Sequence, residues 1–165
     1  MSAHASELTL STDPLVLEPL HRELLAPRIE ALAASVADGR ARAPWLELGA
    51  AVAALSVPLR LQERLANVIE LALAGGRIRR EEGPPAEAAL NALFRRTSRG
   101  VATAAGLAAL NRALAQLKDS TIDGVSATMR APGVYVMSLR TAELQLAIRF
   151  DRSGPEVESL EVGLG

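Results

Sequence analysis

The sequence predicts an α+β fold in which helices come first and an antiparallel β-meander follows. Strong helix formers dominate the composition: 31 Ala, 27 Leu and 17 Arg, beside a single Lys, among 165 residues. Up to about residue 117 the apolar residues recur at steps of three and four, as one helix face requires. Beyond Asp119 the period drops to two, which belongs to strands. Helices and strands segregated in this way indicate α+β and not alternating β-α-β units.

Residues 1–13 read as a mobile leader ending in a helix start, with Ser11, Thr12 and Asp13 offering capping oxygens ahead of Pro14. Leu17, Leu20 and Leu24 share one face of the first helix. Pro27 breaks that phase, so Leu25, Ile29, Leu32 and Val36 predict a kink or a second short helix, stopped by Asp38 and a left-handed Gly39. Pro44 then opens a helix with Trp45, Leu48, Val52 and Leu55 as its buried stripe. Ser56-Val57-Pro58 restarts the helix, which continues through Leu61, Leu65, Val68, Ile69 and Ala72 until Gly75-Gly76 stops it.

The polar segment 77–85, RIRREEGPP, reads as a connector, because its prolines forbid a continuous helix. A helix from about Ala86 carries Leu90, Leu93 and Phe94, and it ends in Arg95, Arg96 and Arg99, which suit the negative end of its dipole. Residues 101–117 form a helix apolar nearly all round, with Leu107, Leu110, Leu114 and Leu117 on one face. It is expected to be the central helix.

The strands follow in order. Val125, Ala127 and Met129 alternate with Ser126, Thr128 and Arg130, and Pro132-Gly133 fits the centre of a type II turn. Val134–Arg140 is a second strand, with Thr141-Ala142 turning the chain after it. Leu144, Leu146, Ile148 and Phe150 alternate strictly with polar or small residues, so one face is buried and one is wet. Asp151–Gly154 makes the last hairpin, and Leu160, Val162 and Leu164 mark a fourth strand. This four-stranded meander needs a helix on its apolar face, and the 101–117 helix supplies it. The predicted organisation is thus a leader at 1–13, a helical portion at 14–76, a connector at 77–85, and helices plus meander over 86–165, with four to five helices ahead of the meander and all in one compact domain.

Composition excludes several classes. With 49% apolar and 22% charged residues the chain has the hydrophobic surface that a disordered chain lacks. Its longest uncharged runs, Leu48–Leu59 and Gly100–Asn111, are too short for the roughly 20 apolar residues of a membrane span. The first ten residues show no basic stretch ahead of an apolar one, so a cytoplasmic protein is expected. The absence of Cys removes disulfides, thiolate nucleophiles and thiolate metal sites. The Arg bias reads as codon usage in a GC-rich, bacterial-type genome.

No catalytic constellation stands out. The histidines are His4, in the leader, and His21, on the first helix beside Glu18, and two ligands do not make a metal site. There is no G-x-S-x-G elbow and no dinucleotide-binding glycine pattern. The carboxylate groups Glu81-Glu82, Asp119 with Asp123, and Glu156-Glu158-Glu161 fall in turns or at a sheet edge, where charges blunt unwanted strand pairing. The glycines read as punctuation. No cofactor and no metal are expected, and catalysis is not.

Charge is segregated along the chain. Residues 77–118 carry seven Arg and Lys118 against three acids, whereas acids exceed bases on both sides of that segment. Arg77, Arg79, Arg80, Arg95, Arg96 and Arg99 are therefore candidates for a protein-docking, phosphate or nucleic-acid surface, although the net charge is −1. Arg95-Arg96-Thr97-Ser98 also resembles a basic-directed phosphorylation site. Met129, Tyr135, Met137 and Leu139 are candidate walls of a small apolar-ligand-binding or enzymatic pocket between helix and sheet. Above these stands a non-catalytic reading: an interaction module or accessory subunit whose surplus Ala/Leu helix surface meets a protein partner or a second copy.

Overall fold

The computed structural model describes residues 13–163, so the leader through Thr12, with His4, and Leu164 lie outside the described residues. The fold is α+β: helices first, then a four-stranded antiparallel sheet with strands in the order β3-β4-β5-β6. The chain forms two compact units, Met1–Gly100 and Val101–Gly165. Segment 77–85 is not where they part. Its first residues form the short helix α4 (Arg77–Glu81), and Ile78 is 1% exposed in the core of the helical unit. The division falls within a longer helix, just after Gly100.

In the helical unit, β1 (Leu15–Val16) pairs antiparallel with β2 (Ser56–Val57). Both stretches are therefore extended, where the sequence suggests helix starts. Leu15 and Leu17 are buried and Val16 between them is exposed, a period of two too short to register against the leucines that follow. Helix α1 (Pro19–Ser35) starts at Pro19, not at Pro14, and it runs through Pro27 without a break. The Arg28 guanidinium donates to the Leu24 carbonyl in the same turn. Leu20 lies on the exposed side, and the inward positions are His21, Leu24, Leu25, Ile29 and Ala33. Asp38 does not stop α1; it caps α2 (Gly39–Ala53) by accepting from the Arg40 amide at 2.9 Å, so Gly39 is helical and Pro44 sits inside α2.

Helix α3 (Leu59–Leu73) buries Leu61, Leu65, Val68, Ile69 and Ala72, and α5 (Pro84–Arg96) buries Ala86, Leu90 and Leu93. Together with Leu48 and Val52 of α2 these make one core. The stripes at Trp45–Leu55 and Leu61–Ala72 are thus consumed inside this unit. Gly75 and Gly76 stop α3 with φ of 71° and 64°, a left-handed turn that side chains resist.

Helix α6 (Ser98–Ala115) is not central. Of its residues only Gly100, Leu110 and Ala113 are buried, with Leu117 packed beside the last two just past the helix end, while Leu107 and Leu114 are exposed. The all-round apolar character comes from alanine, whose small side chain suits helix wherever it lies. Leu110 and Ala113 close a second core over Leu139, Leu144, Leu146 and Ile148 of the sheet. The strands are β3 (Gly124–Ala131), β4 (Val134–Arg140), β5 (Leu144–Asp151) and β6 (Gly154–Val162). Gly133 (φ 78°) and Gly154 (φ 108°) occupy the turn positions expected of them.

Candidate functional site

Strand register sorts the sheet into two faces. Val125, Ala127 and Met129 of β3 pair with Leu139, Met137 and Tyr135 of β4, which pair in turn with Leu146, Ile148 and Phe150 of β5. Directly opposed residues of an antiparallel pair point to the same side, so all nine share one face. Leu160 and Val157 of β6 extend that face beyond β5.

Helix α6 covers only part of it. Leu139, Leu146 and Ile148 are buried, and Met137, Phe150 and Val157 are partly buried against the same core. The β3 side is open: Val125 is 63% exposed, Met129 64% and Tyr135 52%, and Ala127 between them is exposed as well. Leu160 and Val162 are exposed at the far corner. Apolar side chains contiguous along an edge strand and left in water are the mark of an interaction site. Strand β3 itself is open on both faces over Val125–Ala131.

Two glycines set how α6 lies. A Cβ on Gly106 would sit 2.5 Å from the Pro155 carbonyl oxygen, so the absent side chain lets α6 rest directly on the β5–β6 hairpin. The Thr103 hydroxyl fastens the same end by donating to the Ser153 carbonyl at 3.2 Å. A Cβ on Gly100 would lie 1.9 Å from the Phe94 carbonyl oxygen, at the tight junction of α5 and α6. These glycines are contact points, not punctuation.

The other sheet face is polar and cross-linked. Arg130 pairs with Glu158 at 2.7 Å, and Arg149 pairs with Glu156 and, at 3.4 Å, with Asp151. The hydrogen bond to Glu156, reinforced by the charges of Glu156 and Asp151, holds the Arg149 guanidinium above its ordinary pKa. At the other end, Arg140, Ser126, Ser138 and Gln145 line an open polar hollow of about 390 Å³ with Gly124 and Val125.

The four residues suggested as pocket walls do come together, but not around one cavity. Leu139 is core, Met137 is partly buried, and Met129 and Tyr135 face solvent. The groove that does lie between α6 and β6, about 330 Å³, is lined by Ala109, Arg112, Ala113, Gln116, Val157 and Leu160.

The six arginines are largely engaged within their own unit. Arg99 bonds Glu63, and at 2.7 Å both Glu70 and Asn67, all on α3. Arg96 donates to the Val16 carbonyl and Arg80 to the Gly75 carbonyl. Arg77 pairs with Glu81, and Arg79 with Glu87. Arg95 is exposed. Thr97, in the segment that resembles a phosphorylation site, is fully buried. Its hydroxyl donates to the Phe94 carbonyl at 2.7 Å and accepts from the Gly100 amide at 3.1 Å.

His21 is buried and occupied at both nitrogens: Nδ1 accepts from the Glu18 amide at 3.0 Å, and Nε2 donates to the Ala89 carbonyl at 3.3 Å. That tautomer is set by the two partners, and it makes His21 a tie between α1 and α5. Among the described residues no three His, Asp or Glu side chains are grouped so as to hold a metal ion. No helix among them is long and apolar enough to cross a membrane.

Sequence reasoning marked Met129 and Tyr135 and passed over Val125 and Ala127, their neighbours on the strip. The signal was present in the alternation of β3. Comparison with known proteins adds no relative: no family model, curated protein or solved structure matches this chain.

Proposed function

We propose that the protein is a non-catalytic interaction module, an accessory subunit of a cytoplasmic assembly, and that it docks through the apolar strip Val125, Ala127, Met129 and Tyr135. One observation carries the reading: α6 covers half of an apolar sheet face and leaves the rest, along an edge strand, in water. Burying apolar surface yields roughly 25 cal/mol per Å², so three large exposed side chains in a row are a standing gain for any partner that covers them.

The test is a Val125→Asp/Met129→Asp double variant, purified under gentle conditions from the source cells beside the wild type. Wild-type protein retains a stoichiometric companion, and the variant loses it while keeping its circular dichroism and melting temperature. A companion retained by the folded variant overturns the reading. So does a variant that unfolds, because the strip is then core.

A further inference from the structure

Strand β3 differs from the opposite edge in a way that identifies what pairs with it. The β6 edge is protected: it contains Pro155, carries Glu156, Glu158 and Glu161, and is interrupted by a bulge opposite Ala147 and Ile148. Strand β3 has none of these over Val125–Met129. That stretch contains no charge and no proline, and its register with β4 is regular from Gly124 to Met129. An unprotected edge presents a row of backbone donors and acceptors to any strand that can align with it.

The side chains specify the aligning strand. Read outward from Ala127, the stretch Val125-Ser126-Ala127-Thr128-Met129 is a palindrome in chemical type, with hydroxyl then apolar on each side. A twofold interface must be self-complementary, each residue meeting its counterpart under the same rotation. We infer that β3 pairs antiparallel with β3 of a second copy about a twofold axis at Ala127, joining two sheets into one of eight strands. This rests on the reading of the strip as an interaction face, and it names the occupant.

In that register every pair is matched. Val125 lies opposite Met129 of the second copy on the apolar face, and Ala127 lies opposite its own counterpart. Ser126 lies opposite Thr128 on the polar face, a hydroxyl pair of the kind that stabilises sheets. The paired stretch ends at Met129, because the register of β3 shifts between Met129 and Ala131; Arg130, just beyond it, keeps its ion pair with Glu158. A shift by one residue would set Val125 opposite Thr128 or Arg130 and Met129 opposite Gly124 or Ser126, with the apolar side chains of the two strands on opposite faces, so the pattern fixes the register. One strand and a few apolar side chains make a smaller interface than the roughly 800 Å² per partner of standard complexes. The dimer is therefore expected to dissociate in the micromolar range.

The chain has no cysteine, so a single introduced one is a clean reporter. Opposed residues in an antiparallel pair have Cα atoms about 4.5–5.5 Å apart, within disulfide range. Ala127→Cys therefore forms a reducible covalent dimer under mild oxidation. Ser126→Cys and Thr128→Cys, whose counterparts lie two residues along the partner strand at about 8 Å, cross-link at least tenfold more slowly. Sedimentation of the wild type from about 1 to about 500 µM shows a monomer–dimer equilibrium that Val125→Asp/Met129→Asp abolishes.

Equal cross-linking at all three positions, or a wild type monomeric throughout that range, overturns the inference. A monomer that still binds a different protein through Val125 and Met129 removes the second copy alone and leaves the interaction module standing. A monomer whose companion ignores the double variant removes both.

Discussion

Replacing Gly106 by Ala separates two effects that oppose each other in sign. Glycine inside a helix costs about 1 kcal/mol relative to alanine, so propensity alone predicts a stabler protein. The structure predicts the reverse. The new Cβ would sit 2.5 Å from the Pro155 carbonyl oxygen, where ordinary contact begins near 3.4 Å, and that atom is backbone. Helix α6 must therefore withdraw from the β5–β6 hairpin by about 1 Å, thinning the contact of Leu110 and Ala113 with the sheet. Overpacking of this kind costs typically 1–3 kcal/mol. Set against the propensity gain, the expected net loss is about 1 kcal/mol, or roughly 4–8 °C in the melting of a unit this small. Hydrogen exchange at the amides of β5 reads the sheet unit directly, and fluorescence of Trp45, the only tryptophan, reads the helical unit as a control. Faster exchange in β5 with an unchanged Trp45 transition is the expected result. Exchange in β5 that is unchanged or slower would refute the reasoning, because Gly106 would then be an ordinary helical glycine.

Gly49→Ala is the matched case with the opposite outcome: its Cβ meets only Ile29 Cγ2 at 3.7 Å, so the variant gains about 0.8 kcal/mol in the urea transition followed by Trp45. His21→Ala strands the Glu18 amide and the Ala89 carbonyl and costs about 2–3 kcal/mol in the same transition; His21→Leu, which restores bulk without hydrogen bonds, recovers less than half. Thr97→Val keeps the shape and removes the hydroxyl between Phe94 and Gly100, for a loss of about 1–2 kcal/mol. Because that hydroxyl is buried and committed, mass spectrometry after treatment of folded protein with a basic-directed kinase shows no phosphate on Thr97.

How far the sequence reveals the fold depends on what kind of signal each element leaves. Strands β3–β6 are legible because alternation, Pro132-Gly133 and Gly154 are local, and each turn needs the backbone its glycine provides. The N-terminal region is harder. Pro14, Pro19, Pro27 and Pro44 all invite a helix start, and tertiary pairing of Leu15–Val16 with Ser56–Val57 decides among them. Two-residue strands have no period to detect. The capping box of Glu18 with His21 does leave a trace, the i, i+3 pair itself, but as a tie between helices and not as the ligand pair it resembles. The arginine cluster misled in a different way. Charge counts along a chain do not show that Arg99 faces three partners on α3, thirty residues earlier in sequence by a fold that only packing creates.

The open strip could have been anticipated by measuring. A helix with its side chains is about 10–12 Å across, and strands are spaced about 4.8 Å, so one helix covers little more than two of four strands. An apolar face on all four strands with a single covering helix must leave one side exposed. Width alone does not say which side. That is settled by where α6 is fastened: Gly106 sits on the Pro155 carbonyl and Thr103 on the Ser153 carbonyl, both in the β5–β6 hairpin. Anchored there, Leu110 and Ala113 reach Leu139 of β4 but leave β3 bare. Gly106 and Thr103 therefore determine the location of the interaction strip without belonging to it. In the sequence they look like two interruptions in an alanine-rich helix, because a close approach to a backbone carbonyl leaves no periodicity behind.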